Sequence, residues 1–120
     1  MKNVTLVFGA SLKEERYSNM AVRRLRNKGL NVVAFGLKEG VIGDVQIDTQ
    51  NLKYQNIDTV TLYLNPTRQK EYYDYILSLA PRRVIFNPGT ENEEFAQLLV
   101  SKGIIAEVAC TLVLLSIDEY

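Results

Sequence analysis

A short apolar strand, Val4 to Phe8, runs into Gly9-Ala10-Ser11 and a helical pattern follows within a few residues, the stretch Val4 to Leu25 reading V-T-L-V-F-G-A-S-L-K-E-E-R-Y-S-N-M-A-V-R-R-L. That order constrains the fold more than any other feature of the chain. A strand that stops at a glycine turn ahead of a helix, whose first amide N–H groups have no intrahelical partner, makes a site that a phosphate can fill. The helix is expected to start at Ser18, whose hydroxyl suits the cap position.

Further short, nearly continuous apolar runs at Asn31 to Phe35, Thr59 to Leu64, Arg83 to Phe86 and Ile104 to Ala109 read as strands buried on both faces. Between them, helical spacing appears in Ser18 to Lys28 (Ala21, Val22, Leu25 inward), Thr67 to Leu79 (Tyr72, Tyr73, Ile76, Leu77) and Glu91 to Lys102 (Phe95, Leu98, Leu99). Gly29 and Gly103 follow helical runs where a left-handed stop is wanted, and Pro66 and Pro88 follow strands. The alternation predicts an α/β fold of three layers, an open, mostly parallel sheet of about five strands with helices on both faces. Lys38 to Tyr54 interrupts it. With turns at Gly40, Gly43 and Asp44 and room for no more than a minor strand at Val45 to Ile47, this segment reads as a long loop. Thr111 to Ser116 reads as a short closing helix in preference to an extended last strand.

The 120 residues fit one domain spanning 1–120, long enough to bury about two thirds of the surface of the unfolded chain. Fourteen basic residues balance fourteen acidic ones, so the chain lacks the basic footprint that nucleic acid binding demands. No apolar run is long enough for a membrane helix and the N-terminus enters a strand directly, so a cytoplasmic location is expected. A single cysteine, Cys110, and the absence of histidine leave no internal disulfide, no usual zinc set and no Cys-His or Ser-His nucleophile pair. No catalytic and no metal-ligating residues are therefore expected.

Right-handed crossovers gather the loops after the strands at the carboxyl edge of the sheet, where ligands bind in open α/β folds. Of the dinucleotide fingerprint G-x-G-x-x-G only the first glycine, Gly9, is present, so the turn points to a phosphate more than to NAD. An NAD site carries an acid at the end of the second strand, to accept from the ribose hydroxyls. Here that end reads Ala34-Phe35-Gly36-Leu37-Lys38, and a lysine there either reads as a solvated loop residue or suits a phosphorylated ribose. Coenzyme A and NADP both carry one. The polar loops Asn65-Pro66-Thr67 and Asn87-Pro88-Gly89-Thr90-Glu91-Asn92 face the same edge, yet each is equally well explained as a turn and a helix cap. Arg68 reads either as an anion ligand or as plain surface. Tyr72, Tyr73 and Tyr75 read as core or as a surface for pairing with a second copy, which makes a homodimer one expectation.

Taken together, Leu6-Val7-Phe8-Gly9-Ala10-Ser11, Arg16-Tyr17-Ser18 with Ala21 and Leu25, Gly29-Leu30-Asn31-Val32-Val33, Lys38 with Gly43, Asp58-Thr59-Val60-Thr61, Asn87 to Asn92 and Ala109-Cys110-Thr111 closely resemble the small CoA-binding proteins. Their Rossmann-like domain also opens the succinyl-CoA synthetase alpha subunit. The resemblance implies coenzyme A as the cofactor, a small-molecule nucleotide held without catalysis. Gly9, Ala10 and Ser11 would be approached by the nucleotide, Tyr17 and Ser18 would stand near the helix entrance, and Lys38 near phosphate. Asn87, Pro88 and Gly89 would close the other side; Asn65 and Pro66 are further candidates by their place in the loop after the third main strand alone. Where many members end the second strand in a V-N-P-like turn, this chain has Ala34-Phe35-Gly36-Leu37, so its adenine and ribose pocket is expected to differ. An NADP-dependent oxidoreductase-like domain and a regulatory module with a vestigial cleft are the alternatives.

Overall fold

The computed structural model describes residues 1–120. Seven strands form one sheet: β1 (Val4–Ala10), β2 (Asn31–Gly36), β3 (Gly40–Ile42), β4 (Val45–Asp48), β5 (Ile57–Leu62), β6 (Arg83–Phe86) and β7 (Ile105–Val108). Their order is β3-β4-β2-β1-β5-β6-β7, and every neighbouring pair is parallel except β3–β4. The five expected strands are all present, but β7, expected to be buried on both faces, is an edge strand with Ile105 and Val108 exposed, and the two additional strands correct the expected count. They come from the segment read as a loop, where Gly40 to Ile42 and Val45 to Ile47 pair around Gly43-Asp44 and β4 then joins the edge of β2. Alternate burial explains why so short a hairpin holds. Ile42, Val45 and Ile47 are buried while Val41 and Gln46 face solvent.

Helices cover both faces. One core joins Val7, Ala34 and Ile47 of the sheet to Ala21, Val22 and Leu25 of α1 (Tyr17–Asn27) and to Leu112 and Leu115 of α5 (Thr111–Ser116). The other joins Leu6, Phe8, Val60, Leu62 and Phe86 to Ile76 of α3 (Tyr73–Ser78) and to Phe95 and Leu99 of α4 (Glu93–Ser101). The closing helix thus forms as expected, and the tyrosines read as core or pairing surface pack into this second core. The run expected as one helix from Thr67 to Leu79 is divided into α2 (Pro66–Gln69), a 3-10 turn at Lys70–Tyr72, and α3. The division lets Gln69, fully buried, turn inward to two backbone carbonyls while Tyr72, Tyr73 and Tyr75 all reach the core.

The topology fixes where a ligand can enter. From β1 the chain builds outward through β2, then returns to place β5 on the other side of β1. The crossovers diverge at that point, so a crevice opens between the carboxyl ends of β1 and β5. No helix is long and apolar enough to cross a membrane.

Candidate ligand-binding cleft

The turn after β1 is wedged between its two neighbours, and glycine makes this possible twice. Gly9 has φ +104, and a Cβ there would lie 3.1 Å from the Tyr63 carbonyl carbon and 3.2 Å from the Leu64 nitrogen. Gly36, which pairs with Ala10 at the end of β2, has no room for a Cβ beside the Ala10 carbonyl oxygen. Above this floor lies a cavity of about 510 Å³, bounded by Gly9 to Lys13, Arg16, Phe35 to Lys38, Leu64, Arg68 and Tyr72. The turn itself is anchored from below. Asn19, buried in the first turn of α1, donates from Nδ2 to the Ser11 carbonyl at 2.9 Å, and its Oδ1 accepts from Arg23 Nε at 2.8 Å.

The electrostatics of the cleft are one-sided. Lys13, Arg16, Lys38 and Arg68 line it, no aspartate or glutamate does, and none of the four cations forms an ion pair. In a chain of zero net charge that clustering is a local arrangement. α1 has Arg16 at its cap position with no side-chain cap and no acid in its first turn, so its positive end adds to the same field. By contrast α4 is capped by Asn92, which accepts from the Phe95 N–H, and carries Glu93 and Glu94 at its start. Burial holds the Tyr72 phenol above its ordinary pKa, helped by the Glu71 charge, so it remains a neutral donor at the cleft wall.

A larger and more open depression of about 680 Å³ lies at the opposite edge, beside Lys2, Asp74, Arg82 and Lys102. Arg82 is already held there by both oxygens of Asp58, at 2.8 and 3.1 Å. The carboxyl ends of α3 and α4 face this edge, a polarity that disfavours anions. The switch-point cleft is therefore the candidate site.

The sequence pattern of the CoA binding domain family matches residues 3–116. This chain belongs to the CoA-binding domain family. The crystal structure of an uncharacterized protein superposes on this CoA-binding domain with a TM-score of 0.95 at 42% identity, over 100% of this chain and 99% of the other. A Thermus thermophilus protein does so with a TM-score of 0.86 at 18% identity, over 99% and 91%. An acetyl-coenzyme A synthetase of Ca. Korarchaeum cryptofilum, solved in complex with phosphate and ADP, gives 0.71 at 13% identity, over 91% of this chain and 26% of that one. The last two likenesses concern the Rossmann-like fold alone. No curated protein matches the chain.

Within this CoA-binding domain the residues singled out in the sequence divide into two groups. Gly9, Ala10, Ser11 and Lys38 converge on the cavity. Tyr17 is exposed on the first turn of α1, outside the cavity wall, and Ser18 is buried one residue inside the helix. The expectation that Ser18 caps α1 is thus corrected: the cap position belongs to Arg16, and the helix starts at Tyr17. Asn65 caps α2 by accepting from the Arg68 N–H at 2.9 Å, and Pro66 is the first residue of that helix. Asn87 is buried with every polar atom engaged. Its Nδ2 donates to Thr61 Oγ1 at 2.7 Å and the Leu62 carbonyl at 2.9 Å, while Oδ1 accepts from the Thr111 N–H at 2.8 Å. Pro88 and Gly89 form the exposed turn beyond it.

Asn87 is accordingly a latch between β5, β6 and α5. Replacing it with alanine is expected to lower folding stability by about 2 kcal/mol, because buried partners are left unpaired. Urea unfolding measures this, and a midpoint equal to that of the wild type would contradict the latch. Sequence reasoning missed Asn19, named Arg16 only within a family-matching segment and read Tyr72 as core or pairing surface, assigning none of the three to the cleft. A polar residue at an inward helical position is the one signal that marks Asn19, while Arg16 and Tyr72 gain their place only through tertiary convergence.

Proposed function

We propose that this protein binds coenzyme A or an acyl-CoA in the switch-point cleft, as a sensor or adaptor that performs no chemistry on it. The observation that carries this reading is the set of four unpaired cations and no acid around a glycine-floored turn at the start of α1. Membership of the CoA-binding domain family supports the choice of ligand. In this reading the pyrophosphate rests against the main chain of Gly9, Ala10 and Ser11 and the open end of α1, and Lys38 meets the phosphorylated ribose. Tyr17 and Ser18 shape the entrance of α1. Asn65, Pro66, Asn87, Pro88 and Gly89 set the loops along the far side. The cleft wall holds no carboxylate, cysteine or histidine, which supports binding without catalysis.

Thermal-shift titration tests the reading. Coenzyme A is expected to raise the melting temperature as its concentration exceeds Kd, and dephospho-CoA to do so less. Lys38→Ala is expected to make the two ligands equal. A larger shift with NADP would replace this reading with the oxidoreductase alternative, and no shift with any of these ligands would favour a vestigial cleft.

A further inference from the structure

Arg68 enters the cleft from the side opposite α1, and the surrounding structure fixes its direction. α2 follows β5 directly, with Asn65 as its cap and Pro66 at its first position. The side chain after Arg68, Gln69, is fully buried and donates to the Leu64 and Thr90 carbonyls, each at 2.8 Å, while its Oε1 accepts from Asn92 Nδ2 at 2.9 Å. With Gln69 clamped inward, neighbouring Arg68 is left exposed on the cleft wall. Tyr72, four residues later, lines the same wall, its ring set edge-on against Phe8 and Phe35. Glu71 stands three residues from Arg68, a spacing that suits an ion pair on a helix, yet no such pair forms. The guanidinium makes no hydrogen bond to any protein group.

We infer that Arg68 is a specificity-determining residue that holds the bridging pyrophosphate of the ligand from the β5 side, across the Gly9 turn from Arg16. This rests on the reading of the cleft as a CoA site and assigns a separate task to each wall. In open α/β folds the ribose lies beside the end of the second strand and the pyrophosphate at the turn after the first. Lys38, after β2, is placed for the ribose phosphate; Arg68, beyond β5, is placed for the bridge. A planar guanidinium presents paired donors to two phosphate oxygens, which an ammonium cannot reproduce.

Calorimetric titration of wild type, Arg68→Ala, Arg68→Lys and Lys38→Ala with coenzyme A, dephospho-CoA and ADP tests the assignment. Arg68→Ala is expected to weaken coenzyme A and dephospho-CoA by the same factor, about tenfold or more, and Arg68→Lys to recover only part of it. The unfolding midpoint without ligand stays at the wild-type value, since Arg68 supports no other group. Lys38→Ala instead weakens coenzyme A and leaves dephospho-CoA unchanged. The assignment is overturned if Arg68→Ala binds both ligands as the wild type does, or weakens coenzyme A alone. Should wild type take up ADP but no coenzyme A, the CoA reading falls. The role of Arg68 then stands if Arg68→Ala weakens ADP, and falls with it if ADP binding is unchanged or absent.

Discussion

Truncation of Phe8 to alanine is expected to lower folding stability by about 4 kcal/mol. Phe8 is fully buried, its ring stacked on Phe35 with centroids 4.6 Å apart and met edge-on by Tyr72 at 5.0 Å. Removing it deletes a large apolar side chain and leaves a cavity that strands on either side, held by ladder hydrogen bonds, cannot close. Against a typical total of about 5–15 kcal/mol, the loss is a large fraction of what keeps the chain folded. The effect reaches the cleft as well, because Phe35 and Tyr72 form part of its wall and lean on Phe8. Guanidinium unfolding gives the stability, and coenzyme A titration of the fraction still folded gives the affinity. A loss below about 1.5 kcal/mol would mean that this aromatic layer repacks freely and does not support the wall.

The parts of the fold that follow from local patterning were legible in the sequence. Val4 to Phe8 and Arg83 to Phe86 are apolar at all but one position each, and Thr59 to Leu62 alternates threonine with valine and leucine, a pattern that suits buried strands. α1 announces its inward face through Ala21, Val22 and Leu25. Of the hairpin, only the turn at Gly43-Asp44 and a minor strand at Val45 to Ile47 were legible; β3 and the pairing were not, because three- and four-residue strands acquire their stability from the exposed edge of β2 rather than from their own residues. The same division runs through the cleft. Gly9 and Lys38 could be placed by their position after a strand, whereas the convergence of Arg16 and Arg68 depends on β5 returning beside β1. Asn87 shows a different divergence between pattern and structure. A polar residue in a carboxyl-edge loop suggests a ligand contact, but this side chain turns inward and spends all its hydrogen-bonding capacity on the protein.

Gly36→Ala is expected to lower stability by about 3 kcal/mol and to weaken coenzyme A by about tenfold or more. The added methyl would meet the Ala10 carbonyl oxygen and, at 3.0 Å, the Ile47 Cγ2. Ile47 is fully buried and β-branched, so it can give little, and a backbone oxygen gives less. Relief therefore requires the end of β1 to move away from β2, and Gly9 already stands at 3.1 Å from the Tyr63 backbone on the other side, counted from a notional Cβ. The turn has no direction in which to yield except toward the cavity, which displaces the Ser11 carbonyl from Asn19 and the main chain from its place beneath the ligand. Urea unfolding and calorimetry on the same preparation separate the two effects. A stable Gly36→Ala variant with wild-type affinity would show that the floor of the cleft adjusts, and that close backbone approach is not what shapes the site.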